Sequence, residues 1–177
     1  MSINKILHPI GKLFIGSKYF RYHLKMYIET IIWLNKNSQP SSWNTEWNAI
    51  LEDHLVHARV LINFLTKTSG RNTDVLAIHY FGDQRENFKP LNSEFLNSQV
   101  EDIGNHLVHI TTSSMPDLKS QQTWLTKEIA ISLIPAIGSF LVIVPQTGLA
   151  DGVKNDCLNY LAQLPLDSVP VSLNSAT

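Results

Sequence analysis

The stretch from Ile50 to Leu65 constrains the fold more than any other. Ile50, Leu51, Leu55, Val56, Val60, Leu61, Ile62, Phe64 and Leu65 leave little polar surface on its second half. A helix that is apolar nearly all round belongs at the centre of a bundle, where neighbours cover every side. Within it lies His54-Leu55-Val56-His57, and the same tetrapeptide returns as His106-Leu107-Val108-His109. Each copy puts two imidazoles three residues apart, on one face of a helix. An acidic pair lies upstream of each, Glu52-Asp53 and Glu101-Asp102.

The rest of the chain arranges itself around that helix. Residues 1–16 read as an N-terminal arm, broken by Pro9 and Gly11. Ser17 is an expected N-cap. From it Phe20, Leu24, Tyr27, Ile31 and Leu34 step at spacings of four and three, one face of an α-helix. A linker with Pro40 leads into the second helix, about Asn44 to Lys67. After the turn at Ser69-Gly70, Thr73 caps a short piece over Asp74 to Tyr80, and Gly82 to Pro90 reads as loop.

Asn92 or Ser93 starts a third long helix with Leu96, Val100, Ile103, Leu107 and Ile110 on its apolar face. The fourth starts near Leu118 and runs to Ile143, with a kink or break expected at Pro135. Asp151 caps a last short helix carrying Leu158, Leu161 and Leu164. No alternating strand pattern occurs. The expectation is an all-α, single-domain, up-and-down-like bundle of four long helices plus short extra ones. It spans residues 17–164, with 165–177 as a flexible tail.

Composition narrows the function classes. The formal net charge is −1, so no strong field points at nucleic acid or an anionic membrane as a whole, although a local basic patch remains open. A single cysteine, Cys157, allows neither an intrachain disulfide nor a thiolate cluster, and a cytoplasmic setting is the default. Ile129 to Val144 is apolar but shorter than the roughly 20 residues of a spanning helix, so a core helix and no membrane are expected. The apolar strip of the last helices also fits a dimer face. Trp33, Trp43, Trp47 and Trp124 read as core and helix-junction packing.

Two constellations carry chemistry. Paired HxxH tetrapeptides on facing helices would offer four imidazoles to a metal, with Asp53 and Asp102 as ligands or supporting groups. Known bundle sites use Glu-x-x-His pairs instead, and the carboxylates here fall at other offsets. The second constellation is His57, Arg59 and His109. A guanidinium holds a phosphate while an imidazole moves a proton, with neither metal nor cofactor. The structural alternative has Arg59 bonded to Glu52 or to helix ends, and the histidines hydrogen-bonded at the core's edge. Neither a nucleophile elbow nor a glycine-rich phosphate loop is present.

Three stretches together resemble a known group. His57-Ala58-Arg59-Val60-Leu61-Ile62-Asn63-Phe64-Leu65 is similar to a HARxLxxFL helix. Thr73-Asp74-Val75-Leu76-Ala77-Ile78-His79-Tyr80-Phe81 is similar to a DDVxAxxYF segment. Asn105-His106-Leu107-Val108-His109-Ile110-Thr111 is similar to an NKxLAHLT stretch. In this order they resemble uncharacterised bacterial helical-bundle proteins of the HEPN-like superfamily.

The resemblance implies an all-α bundle and, for active members, a metal-independent ribonuclease of stress or phage defence, usually a homodimer. It implies RNA as substrate, His109 as base or acid, and His57 and Arg59 on the phosphate. Asn63, Asp74, His106 and Thr111, in the same stretches, are the expected substrate-binding residues. The superfamily's Arg, four to six residues ahead of a His on one helix, is missing before His109 and before His106. Arg59 from another helix stands in for it. A non-catalytic protein- or RNA-interaction bundle, antitoxin-like, is the alternative, and a metal-binding bundle the second.

Overall fold

A computed structural model describes residues 9–37, 39–40, 44–108, 125–145 and 148–164. Among these there is no β-strand; the chain is an all-α bundle. Its helices are α1 (Pro9–Lys36), α2 (Thr45–Thr66), a 3₁₀ segment (Ala77–Asn87), α3 (Glu94–Ile103), α4 (Thr126–Ile143) and α5 (Val153–Leu161). A single π-helical turn, Gly104–Val108, continues α3. The bundle therefore has three long helices among the described residues, where four were expected. The helix that starts at Ser93 is regular for only 10 residues before its winding widens.

α2 packs on α1, α3 and α4, but its apolar girth is not covered on every side as expected: Val56 and Val60 stay exposed. Asn44 caps it: its side-chain oxygen accepts from the Trp47 amide at 2.8 Å. Ser93 caps α3 in the same way. The core's centre is a cluster of aromatic rings. Phe64 of α2 stacks on Phe20 of α1 at 4.8 Å, and Phe140 of α4 meets both edge-on. Tyr80 and Phe81 of the 3₁₀ segment close it from the side. Each such pair adds about 0.5–1.5 kcal/mol to the area it buries. The tryptophans are not in this core. Trp33 and Trp47 are half-buried, Trp47 bonding to the Asn37 carbonyl across the α1–α2 junction, and Trp43 and Trp124 lie outside the described residues.

Several boundaries differ from expectation for local reasons. α1 begins at Pro9, so residues 9–16 are helix rather than arm. Gly16 continues the helix because the neighbours leave no room for more: a Cβ there would sit 2.5 Å from Val75 Cγ1 and 2.7 Å from the Tyr80 hydroxyl. Ser17 is consequently not a cap. Its hydroxyl donates to Leu13 O and accepts from the Ala150 amide.

The short piece expected at Asp74 begins instead at Ala77 and continues past Gly82, whose φ of 51° turns the chain between two helical turns. Helix α4 runs unbroken through Pro135, which lies exposed. Gly152, at φ 77°, takes the N-cap position of α5 that was expected for Asp151. By length and composition α4 is the one described helix apolar enough to cross a membrane, but Ile129, Leu133, Ile137 and Leu141 are fully buried in the core. The start expected at Leu118 and the tail at 165–177 lie outside the described residues.

Candidate functional site

The first tetrapeptide turns toward α1. His54 and His57 are both buried, and each meets a polar group of that helix. His54 stacks on Tyr27 with centroids 4.6 Å apart, and its Nδ1 lies 3.1 Å from Thr30 Oγ1. Thr30 donates its hydroxyl to carbonyls of its own helix, so it accepts here and His54 carries its proton on Nδ1. His54 Nε2 and Tyr27 OH are then sealed in without a partner among the described residues. Burial pushes the His54 pKa down to about 3 and raises that of Tyr27.

One turn on, His57 joins a longer series. Its Nε2 lies 3.3 Å from Asp53 Oδ1, and its Nδ1 lies 2.7 Å from Nδ1 of His23 on α1. A carboxylate only accepts, so His57 Nε2 carries the proton and His57 Nδ1 is the bare lone pair. His23 must donate through Nδ1–H, which leaves its Nε2 as a free lone pair. Asp53, His57 and His23 thus form an oriented series that delivers a basic nitrogen at the far ring.

Burial, then the neighbouring His57 ring, lower the His23 pKa to about 4; Asp53 opposes them. Burial also lowers His57, against the pull of Asp53. All three imidazoles are therefore neutral at pH 7. Each lowered value also means that the unfolded chain takes up protons first. Stability present above pH of about 6.5 is lost as pH falls toward about 4, by up to roughly 1.4 kcal/mol per pH unit for each group in its window. Urea midpoints measured from pH 7 to pH 4.5 should fall steadily; a flat profile would contradict neutral, buried imidazoles.

His23 lines a groove of about 460 Å³ between α1, α2 and the loop after α2. Its floor is apolar, from Phe20, Leu61 and Phe64. Around its mouth stand Lys12, Tyr19, Asn63, Lys67 and Asp74. Lys12 Nζ donates to Asn72 O at 2.6 Å, which ties the loop to α1. Asp74 accepts from the Arg71 amide, closing that loop's tight turn. The expected residues Asn63 and Asp74 thus line the same groove as His23, each from a different element.

Arg59 does not join them. Positions 57 and 59 point to different sides of α2, and the Arg59 guanidinium lies over Gly104, where a Cβ would stand 3.3 Å from one terminal nitrogen. Arg59 Nε is buried with no partner among the described residues, and no bond to Glu52 forms among them. The expected pairing of His57 with Arg59 on one phosphate fails on this geometry, since His57 has both ring nitrogens engaged. His109, Thr111 and the side chain of His106 lie outside the described residues. The first tetrapeptide's rings are committed to α1, and among the described residues no group of three His, Cys, Asp or Glu side chains is placed to hold a metal ion.

His23, Lys12 and Lys67 were not singled out from the sequence. The available signal was helical phase: His23 stands four residues before Tyr27, so both reach toward the His54–His57 edge of α2. Comparisons with family models, with curated proteins and with solved structures return no match.

Proposed function

We propose that the chain is a HEPN-like bundle working as a metal-independent ribonuclease, with proton transfer at the α1–α2 groove. The supporting observation is the series Asp53, His57, His23, which ends in the groove that Lys12 and Lys67 also line. His23 Nε2 takes the proton of a ribose 2′-hydroxyl. The oxygen attacks the adjacent phosphorus, the bond to the 5′-oxygen breaks, and that oxygen leaves with a proton from solvent. A 2′,3′-cyclic phosphate and a 5′-hydroxyl result. Lys12 and Lys67, roughly 15 Å along the helices from His23, draw neighbouring phosphates of the strand, Asn63 and Asp74 meet the ribose or base, and His57 orients His23 while Asp53 balances the charge it gains. The same resemblance supports a bacterial, cytoplasmic setting in stress or phage defence, and a dimer.

A specific observation favours a second reading. Phe14, Ile15, Tyr19 and Tyr22 of α1 are exposed beside the groove, which suits a non-catalytic interaction bundle. Cleavage of a labelled single-stranded RNA in excess EDTA separates the two. The ribonuclease reading expects cleavage at the rate seen without chelator and cyclic-phosphate ends. No cleavage by the wild-type chain would remove it and leave the interaction reading. Arg59→Ala and His109→Ala extend the test: loss in both, with His23→Ala unaffected, would take the base role away from His23.

A further inference from the structure

The outward face of α1 has an unusual make-up. Phe14 is 49% exposed, Tyr19 62% and Tyr22 51%, and Ile15 adds 40%. Lys18 and Lys25 stand among them, with Lys18 Nζ 4.4 Å above the Phe14 ring. At 100° per residue, positions 14, 15, 18, 19, 22 and 25 fall within about 140° of the helix circumference. They form one stripe, which abuts the groove through Tyr19 and reaches the imidazoles through Tyr22, whose ring lies 5.3 Å from His23 and 5.6 Å from His57. Helix α1 carries five basic residues against one acidic, in a chain whose formal charge is −1. Arg21, at the edge of the stripe, is spent on Asp156 at 2.7 Å, and Lys25 lies 3.7 Å from Glu29; Lys18 has no carboxylate partner among the described residues.

We infer that this stripe is a docking surface for single-stranded nucleic acid, with bases stacked on Phe14, Tyr19 and Tyr22 and phosphates drawn to Lys18, Lys12 and Lys67. Exposed rings interleaved with ammonium groups match the two invariant parts of a single strand, base faces and phosphates. From Phe14 to Tyr22 the stripe is about 12 Å long, which holds about three to four stacked nucleotides at roughly 3.4 Å each. A lipid surface fits less well. The continuous apolar stripe of α1, Phe20, Leu24, Tyr27, Ile28 and Ile31, is consumed in the core, and what remains outside is a few rings and Ile15 broken by lysines. RNA and DNA strands share the recognised chemistry, since neither stacking nor phosphate attraction reads the 2′-hydroxyl. The inference rests on the ribonuclease reading for its ligand class alone; binding here needs no cleavage.

Fluorescence anisotropy with the full chain in EDTA tests it, using labelled 12-nucleotide oligo-U and oligo-dT. Binding of both probes is expected. Lys18→Glu and the double variant Tyr19→Ala/Tyr22→Ala should each weaken it at least tenfold, while Tyr19→Phe/Tyr22→Phe stays within about threefold of wild type. Lys18→Glu should also flatten the salt dependence. Val142→Ser, on the exposed end of α4, is the control and should change nothing; thermal melts confirm that the variants fold. No binding by wild type, equal binding by wild type and both stripe variants, or retention on phosphatidylserine vesicles without oligonucleotide binding would each overturn the inference. Binding without cleavage in the same samples would sink the ribonuclease reading and leave the surface standing.

Discussion

His23→Ala is expected to lower RNA cleavage by about 10²- to 10⁴-fold, the range for removing a positioned general base. The size follows from what His23 alone offers. His57 has both nitrogens engaged and is 4% exposed, so it cannot reach a substrate. The His23 lone pair is the one basic nitrogen that the series presents at the groove. Because its pKa lies near 4, the base form is populated throughout the neutral range, and kcat/KM should fall only as pH drops through about 4. His57→Ala supplies a readout that a purely structural role would not move. Removing that ring takes away one cause of the low value, so the acid limb should shift upward in pH while activity falls less than in His23→Ala. An unchanged rate in His23→Ala would exclude it as the base.

Phe140→Ala is expected to cost about 3–5 kcal/mol of unfolding free energy. Few rings in the chain join so many elements. Phe140 meets Phe20 at 5.5 Å, Phe64 at 5.2 Å, and Tyr80 and Phe81 at 6.3 Å. It therefore ties α4 to α1, α2 and the 3₁₀ segment at once. Rings from three other elements cannot all relax inward, so a large part of the vacated space stays empty. Against a typical total of about 5–15 kcal/mol, that loss threatens folding at 37 °C. Urea denaturation reads it directly. A change below about 1 kcal/mol would mean that the ring is not packed among these partners.

What could be read from the sequence followed the strength of each local signal. The apolar girth of residues 50–65 marked α2 as central, and the four–three spacing of Phe20, Leu24, Tyr27 and Ile31 marked the buried face of α1. Where one residue type has two uses, the reading failed. Pro9 and Gly11 suggest a break, yet the helix includes both, and Gly16 answers to Val75 and Tyr80, which are about sixty residues away in the chain. Pro135 suggested a break that solvent exposure and flanking core contacts make unnecessary.

Some residues of the candidate groove were legible, but their arrangement was not. Repetition of the tetrapeptide drew attention to His54 and His57, and Asn63 and Asp74 do line the groove. The partner of His57 was missed because it lies on a helix distant in sequence, and pairing across helices depends on rotation, which periodicity does not give. Arg59 and His57 looked adjacent in sequence, but a separation of two residues turns them toward different neighbours.

Nitrogen-15 NMR of the imidazoles tests the central claim, the directed series from Asp53 through His57 to His23, without reference to any activity. His57 should be protonated on Nε2 and His23 on Nδ1, the two Nδ1 atoms should couple through a shared hydrogen bond, and His23 should titrate near pH 4. Both rings protonated on Nε2 and titrating independently near 6.5 would contradict it.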